Sequence, residues 1–151
     1  MSEQIPDILV WNNEKWTFIR AENVYSLFDP KKIGLTPTEW ITSCCKGFVI
    51  QFSIVNDQLF LDELLVYCKN KKYPPVNGAK AKLDNMGVGV YRNIGLKLSY
   101  SGVITIGKNL KERFRGRAFT GPCSYEITYE LEIKDGILLG SRETSGEYFQ
   151  L

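Results

Sequence analysis

The chain of 151 residues contains no histidine. Histidine is the usual general base, the usual activator of a serine or cysteine nucleophile, and a frequent zinc ligand. Ser-His and Cys-His nucleophilic sites, histidine general bases and histidine–zinc centres are therefore excluded. Carboxylate or lysine chemistry stays open, but the expectation is a protein that is not an enzyme, with no cofactor and no metal site.

Features of exported and membrane-bound proteins are also lacking. The first ten residues have no basic start, and no apolar run reaches the roughly 18 residues that span a bilayer. The four cysteines form no CxxC pair, and two of them are adjacent, which is poor disulfide geometry. We expect a cytoplasmic protein without membrane contact, in which Cys44, Cys45, Cys68 and Cys123 are reduced, small and buried. A reactive or metal-binding thiol is the alternative, and it has no partner histidine.

Alternation of apolar and polar residues with a period of two is the dominant pattern that is present. It runs through residues 48–54, 96–100 and 125–133. With 44% hydrophobic residues, a chain of this length can bury a sizeable core as a single domain over residues 1–151. The predicted fold class is mainly β: an antiparallel, hairpin-built sheet, half-barrel or sandwich, with one or two short helices.

Pairs of turn-forming residues lie between the alternating segments and predict four hairpins. Such pairs favour the type I′ turn, whose two central residues both need a positive φ. The pairs are Asn12-Asn13, Asn56-Asp57, Ser101-Gly102 and Asp135-Gly136. The hairpins over 52–61 and 131–140 resemble each other, which indicates either a weak internal duplication or the general similarity of amphipathic hairpins.

Helical signals are sparse. Residues 22–28 predict a short helical turn, and Thr36-Pro37-Thr38-Glu39 has the pattern of a capping box that starts a helix ending near Gly47. Residues 62–67 fit either a strand or a helical turn. Residues 69–93 contain several prolines and glycines and predict a long exposed loop or flap, a feature that is often functional.

Positive charge is concentrated in two segments. Residues 69–82 carry +5 and residues 108–117 carry +4, so a chain with a net charge of +2 has −7 on the remainder. Only one aromatic residue accompanies the lysines, which disfavours nucleic acid as the partner and favours either solvated charges or a protein contact. The candidate partner-binding residues are Lys69, Lys71, Lys72, Tyr73, Lys80, Lys82, Arg113, Arg115 and Arg117. Phe114 is predicted to point inward, and an exposed anchor is the alternative.

Other motifs favour structural roles. Asp57, Asp62, Glu63 and Asp84 have no spacing that holds two carboxylates together, so they are predicted to be solvated charges at turns and edges. Residues 86–90, MGVGV, lack the lysine and hydroxyl residue of a phosphate-binding loop and predict a bend or bulge. The three tryptophans, Trp11, Trp16 and Trp40, are predicted to fill the core; a sugar- or lipid-binding opening is the alternative.

Two stretches, 43–64 and 99–140, resemble a largely uncharacterised family of small stand-alone bacterial β-rich proteins. The shared features are Gly47-Phe48, the hairpin over 52–61, the segment 100–107 and the strand over 125–131. They cover a little under half of the chain and consist mainly of fold-determining residues. Cys45 stands where the family commonly has tryptophan, and the strongly basic 108–117 stretch is unusual for it.

Small proteins of this kind resemble the immunity proteins encoded beside polymorphic or contact-dependent toxins. The resemblance implies no catalytic residues. It implies an immunity-type inhibitor that binds and neutralises a bacterial toxin protein, such as a nuclease toxin of a contact-dependent inhibition system. The basic segments would face an acidic patch on that partner, while an acidic face meeting a basic toxin is the competing geometry. A small-ligand-binding β-barrel-like protein, with a cavity lined by Trp, Tyr and Phe, is the alternative function.

Overall fold

The structure of the chain, a computed structural model, describes residues 4–39, 41, 43–44, 46–117 and 120–148. It is mainly β, as predicted. The strands are β1 (Asp7–Trp11), β2 (Glu14–Ala21), β3 (Phe48–Val55), β4 (Gln58–Val66), β5 (Lys82–Leu83), β6 (Gly89–Tyr91), β7 (Leu96–Lys97), β8 (Gly102–Leu110), β9 (Tyr125–Lys134) and β10 (Ile137–Glu143). The ambiguous segment 62–67 therefore belongs largely to a strand, β4.

All ten strands belong to one sheet, in the order β10-β9-β8-β2-β1-β3-β4-β6-β5, with β7 beside β4. Every pairing is antiparallel except that of β1 with β3, which is parallel. The sheet also returns on itself, because Ile137 of β10 pairs with Gln58 of β4. Seven strands thus surround a common interior, and β5, β6 and β7 extend the sheet beyond β4.

Three of the four predicted hairpins are confirmed, and each has the expected turn geometry. Both central residues have positive φ in Asn12-Asn13 (53° and 60°), Asn56-Asp57 (50° and 63°) and Asp135-Gly136 (49° and 81°). The two hairpins that resemble each other in sequence also touch. The Leu59 N–H donates to the Gly136 carbonyl at 2.8 Å, and the Leu138 N–H donates to the Asp57 carbonyl at 2.7 Å. Contact between these two turns closes the sheet.

The fourth predicted hairpin, at Ser101-Gly102, is wrong. β7 is only two residues long and pairs with β4, whereas β8 pairs with β2 and β9. The segment between them passes along the Asp135-Gly136 turn: the Gly136 N–H donates to the Tyr100 carbonyl, and the Asp135 N–H donates to Ser101 Oγ. These bonds to a distant turn replace the local hairpin pairing.

The helix predicted to start at Thr36 is also wrong for the described residues of 36–47. Residues 36–39 belong to no helix or strand, and the Thr38 N–H donates to the carbonyl of Tyr67, the residue after β4. Gly47, with φ of 80°, packs directly against the Thr38 backbone. Pairing with the strand end therefore outweighs the local capping pattern. The predicted turn over 22–28 is confirmed as the helix α1 (Val24–Leu27).

Short 3₁₀ turns occupy Pro30–Ile33, Glu112–Phe114 and Pro122–Ser124. The described residues include no helix with the length and apolar character needed to cross a membrane.

Alternating side chains of the closed strands form the core. Most of its fully buried members come from β1, β3, β4, β8 and β9 and include Leu9, Phe52, Leu61, Ile106 and Leu131. Trp16 is buried, as predicted, and it meets Trp11 and Tyr129 at ring-centroid distances of 5.9 and 5.3 Å. The third tryptophan, Trp40, lies outside the described residues.

Candidate functional site

Residues 69–93 are anchored to the sheet and are not a free flap, which corrects the sequence prediction. Val76 and Tyr91 are fully buried, and the Tyr91 hydroxyl donates to the Pro74 carbonyl at 2.6 Å. The Asn77 side-chain amide donates to the Ile94 carbonyl at 2.8 Å. Val76 and Tyr91 are exposed by only 2% or less, and their burial offsets the conformational entropy that a free loop would keep.

Tyr73 is the central anchor of this segment. Its hydroxyl accepts from the Cys68 N–H at 3.0 Å and donates to the Gly87 carbonyl at 2.9 Å. Its ring lies on Gly89, where a Cβ would come within 2.6 Å of the Tyr73 ring. Gly87 lies at a bend, as predicted for MGVGV, and Gly89 leaves room for the Tyr73 ring. Tyr73, which the sequence offered as a partner-binding residue, is half-buried and holds the segment in place.

The lysines of this segment all reach solvent. Lys69, Lys71, Lys72, Lys80 and Lys82, together called the lysine surface, are exposed. Within the part of the chain that the structure describes, none of them forms an ion pair with a carboxylate. Lys71 stacks its ammonium 4.7 Å from the Tyr67 ring centroid. The lysine surface is thus a fixed group of cations without intramolecular counter-charges among the described residues.

The arginine segment, residues 108–117, is arranged differently. Phe114 is buried, as predicted, and the guanidinium groups of Arg113 and Arg117 lie 5.1 and 4.8 Å from its ring centroid. Arg115 forms an ion pair with Glu112. All three arginines stay exposed, but each already has an intramolecular contact that covers part of its guanidinium group.

The two basic segments occupy different parts of the sheet. The lysine surface follows β4 and flanks β5, whereas the arginine segment spans the end of β8 and the connection to β9. In the sheet order, β8 is separated from β4 by β2, β1 and β3 on one side and by β9 and β10 on the other. No described hydrogen bond, ion pair or ring contact joins the two segments.

Carboxylates are dispersed in separate structural roles. Asp84 accepts from the backbone N–H groups of Met86 and Val88, and Glu63 lies 3.8 Å from Arg92. Asp57 belongs to the β3–β4 turn, and Asp62 lies on β4. The described residues contain no group of three or more His, Cys, Asp or Glu that could hold a metal ion.

The described cysteines are wholly or partly buried. Cys44 and Cys68 are buried and Cys123 is half-buried, and none forms a disulfide with another described residue. Burial raises the pKa of the Cys68 thiol, and a hydrogen bond with the Thr36 backbone only partly offsets this. A raised pKa makes a thiol less reactive. Cys45 lies outside the described residues.

An apolar pocket of about 550 Å³, which sequence reasoning missed, opens between α1 and the sheet. Its apolar lining comes from β2, α1, β3 and the residue after α1: Phe18, Leu27, Phe28, Phe48, Ile50 and Phe52. Lys31 and Lys46 stand at its rim, and Lys46 forms an ion pair with Asp7. The lining residues are scattered over the sequence. The one sign of the pocket in the sequence is that four phenylalanines, at positions 18, 28, 48 and 52, occur before residue 53.

Comparison of the chain with protein-family models, with curated proteins and with solved structures gives no match.

Proposed function

We propose that the chain is a non-catalytic binding protein whose lysine surface holds a protein partner with an acidic surface. The observation that carries this proposal is the combination of exposure and anchoring at residues 69–82. Five exposed lysines without a described carboxylate partner create a local positive potential that steers an acidic partner toward them. Anchoring through Tyr73, Val76 and Tyr91 lowers the ordering cost of binding.

The mechanism that we propose is stoichiometric inhibition, in which the bound chain covers a surface that the partner needs. The further proposal that this partner is a bacterial toxin comes from the sequence resemblance to immunity proteins. A cytoplasmic location fits Cys68 and Cys123, which form no disulfide with another described residue, since thiols persist in a reducing compartment. The arginine segment is a second, weaker candidate contact because its guanidinium groups are already engaged.

Capture of the partner with two charge-matched variants tests this proposal. In the lysine-surface variant, Lys69, Lys72 and Lys80 are changed to glutamate; in the control variant, Lys15, Lys97 and Lys134 are changed to glutamate. All six residues are exposed, so both variants should fold, and both change the net charge by the same amount.

The wild type and the control variant should retain the same protein from a bacterial lysate, identified by mass spectrometry, and the lysine-surface variant should lose it. Equal retention by both variants, or no protein retained specifically by the wild type, would contradict the proposal. If the control variant alone lost the partner, the site would lie elsewhere on the molecule.

A further inference from the structure

The apolar pocket beneath α1 has the construction of a small-molecule site. Its volume of about 550 Å³ lies within the range of about 300 to 1,000 Å³ of typical ligand pockets. Four phenylalanine rings line it, and two pairs of these rings are in contact. Phe18 and Phe52 have ring centroids 5.4 Å apart, as do Phe28 and Phe48.

Its entrance is unusually apolar for a surface. Val24 and Tyr25 of α1 line the pocket and are 45% and 76% exposed. Apolar side chains that stay accessible around a concave apolar site are typical of binding sites. The same helix buries Leu27 in the core, so α1 is fixed while its outer residues remain available.

Two lysines and two carboxylates line the rim, and among these four charged groups only the Lys31 ammonium has no described hydrogen-bond or ion-pair partner. Lys46 is neutralised by Asp7, whose other carboxylate oxygen accepts the Ile50 N–H at 2.9 Å. The Asp29 carboxylate accepts the Lys31 backbone N–H at 3.1 Å and so caps the 3₁₀ turn. The Lys31 ammonium forms no ion pair with any described carboxylate and is exposed. It is the cation at this rim that is left for a ligand.

We propose that this pocket binds a small amphipathic anion, with an aromatic or branched aliphatic body among the phenylalanines and a carboxylate or similar group at Lys31. The site is independent of the lysine surface, and it defines the ligand chemistry of a second binding activity of the chain.

Two probes that share a ring system test this site: 1-naphthoate, which is anionic, and 1-naphthalenemethanol, which is neutral. Titration calorimetry gives the affinity of the intact chain for each. The wild type should bind both and should prefer the anion. Lys31→Gln should lower the affinity for 1-naphthoate roughly five-fold, which is the effect of about 1 kcal/mol from a partly exposed ion pair, and should leave the affinity for the alcohol unchanged. The control Lys32→Gln removes the neighbouring exposed charge, which does not line the pocket, and should change neither affinity.

Val24→Trp places a large side chain at the mouth of the pocket and should weaken the binding of both probes while the unfolding midpoint stays at the wild-type value.

Failure of both probes to bind at millimolar concentration would overturn the proposal, and so would a wild-type preference for the anion that survives Lys31→Gln. If the pocket instead receives a side chain of a protein partner, neither probe will bind and Val24→Trp will reduce partner capture. Since the lysine-surface variant leaves the pocket intact, failure of either proposal is distinguishable from failure of the other.

Discussion

At the scale of one residue, Gly136 shows how tightly packed the β9–β10 turn is, which takes part in closing the sheet. Its φ of 81° is accessible mainly to glycine, and a Cβ at this position would overlap the Leu98 carbonyl oxygen. Gly78 has nearly the same φ, 79°, but no atom within 4 Å of its Cβ position. The two glycines therefore share a positive φ and differ in their surroundings.

Gly136→Ala should destabilise the chain by about 1 to 3 kcal/mol more than Gly78→Ala, because only the first adds overpacking to backbone strain. Denaturant unfolding of the two variants measures the difference. Equal losses of unfolding free energy would show that the approach of the turn to Leu98 is not tight.

Buried hydroxyl groups at two places in the sheet differ in whether they have a hydrogen-bond partner. Ser53 Oγ is buried without a hydrogen-bond partner among the described residues. The Thr128 and Thr144 hydroxyls are both buried and bond to each other at 2.7 Å. Burial of a polar group is costly only when its hydrogen bond is missing.

Ser53→Ala should therefore leave the free energy of unfolding unchanged or raise it. Thr128→Val should lower it by about 1 to 3 kcal/mol, since the Thr144 hydroxyl then remains buried and unpaired. Chemical denaturation of both variants is the measurement. A larger loss for Ser53→Ala than for Thr128→Val would contradict these assignments.

At the scale of elements, two buried tyrosines make the stability of the fold depend on pH: Tyr91 in the anchored segment 69–93, and Tyr100 between β7 and β8. Burial raises the pKa of Tyr91 to about 12, and the neighbouring Cys68 and Tyr73 add to this because their ionised forms repel a phenolate. Burial, with the charge of Glu22, also raises the pKa of Tyr100 to about 12. A pKa raised by folding means that the protonated form is favoured in the folded state. The stability that these protonated tyrosines contribute is complete below about pH 10, the pKa of tyrosine in the unfolded chain. It is lost as the pH rises to about 12, their pKa in the folded chain.

Tyr91→Phe should reduce the loss of unfolding free energy between pH 10 and pH 12 by roughly 2 kcal/mol, while costing about 1 kcal/mol at neutral pH through its lost bond to Pro74. Tyr25→Phe is the control, because the Tyr25 ring is 76% exposed. Urea titrations across this pH range give both values. An alkaline stability profile of Tyr91→Phe that parallels the wild type would rule out a buried, protonated Tyr91.

Local turn chemistry accounts for the elements that the sequence predicted well. The pairs at 12–13, 56–57 and 135–136 require positive φ wherever they lie, so their hairpins can be predicted from neighbouring residues alone. Ser101-Gly102 carries the same kind of signal, but contacts with a turn more than 30 residues away decide its conformation. The parallel pairing of β1 with β3 is likewise non-local, and no short pattern encodes it.

The same distinction applies to the candidate sites. Exposure of the lysines and arginines follows from the cost of burying a charge, so composition predicted it. The anchoring role of Tyr73 depends on Gly87 and Gly89, which lie more than a dozen residues away. The apolar lining of the pocket arises only after β2, α1 and β3 come together, and no spacing in the sequence indicates it.

For the whole molecule, the distribution of charge matters more than the net charge of +2. The negative remainder includes residues already engaged within the chain, such as Glu130 and Glu147, which both contact Arg142. The lysine surface has no such partners among the described residues. Its field therefore extends into solvent, where it can orient an acidic partner before contact.

The central claim is tested most directly by the rate at which the purified chain associates with its captured partner. Stopped-flow measurements compare the wild type, the lysine-surface variant and the control variant as ionic strength rises from about 0.01 M to about 0.15 M, where the screening length falls from about 30 Å to about 8 Å. The wild-type and control rates should fall steeply with salt, and the lysine-surface variant should associate at least about ten-fold more slowly at low salt, with a much flatter salt dependence. Association of the lysine-surface variant at the control rate, with the same salt dependence, would contradict the claim that the lysine surface binds the partner.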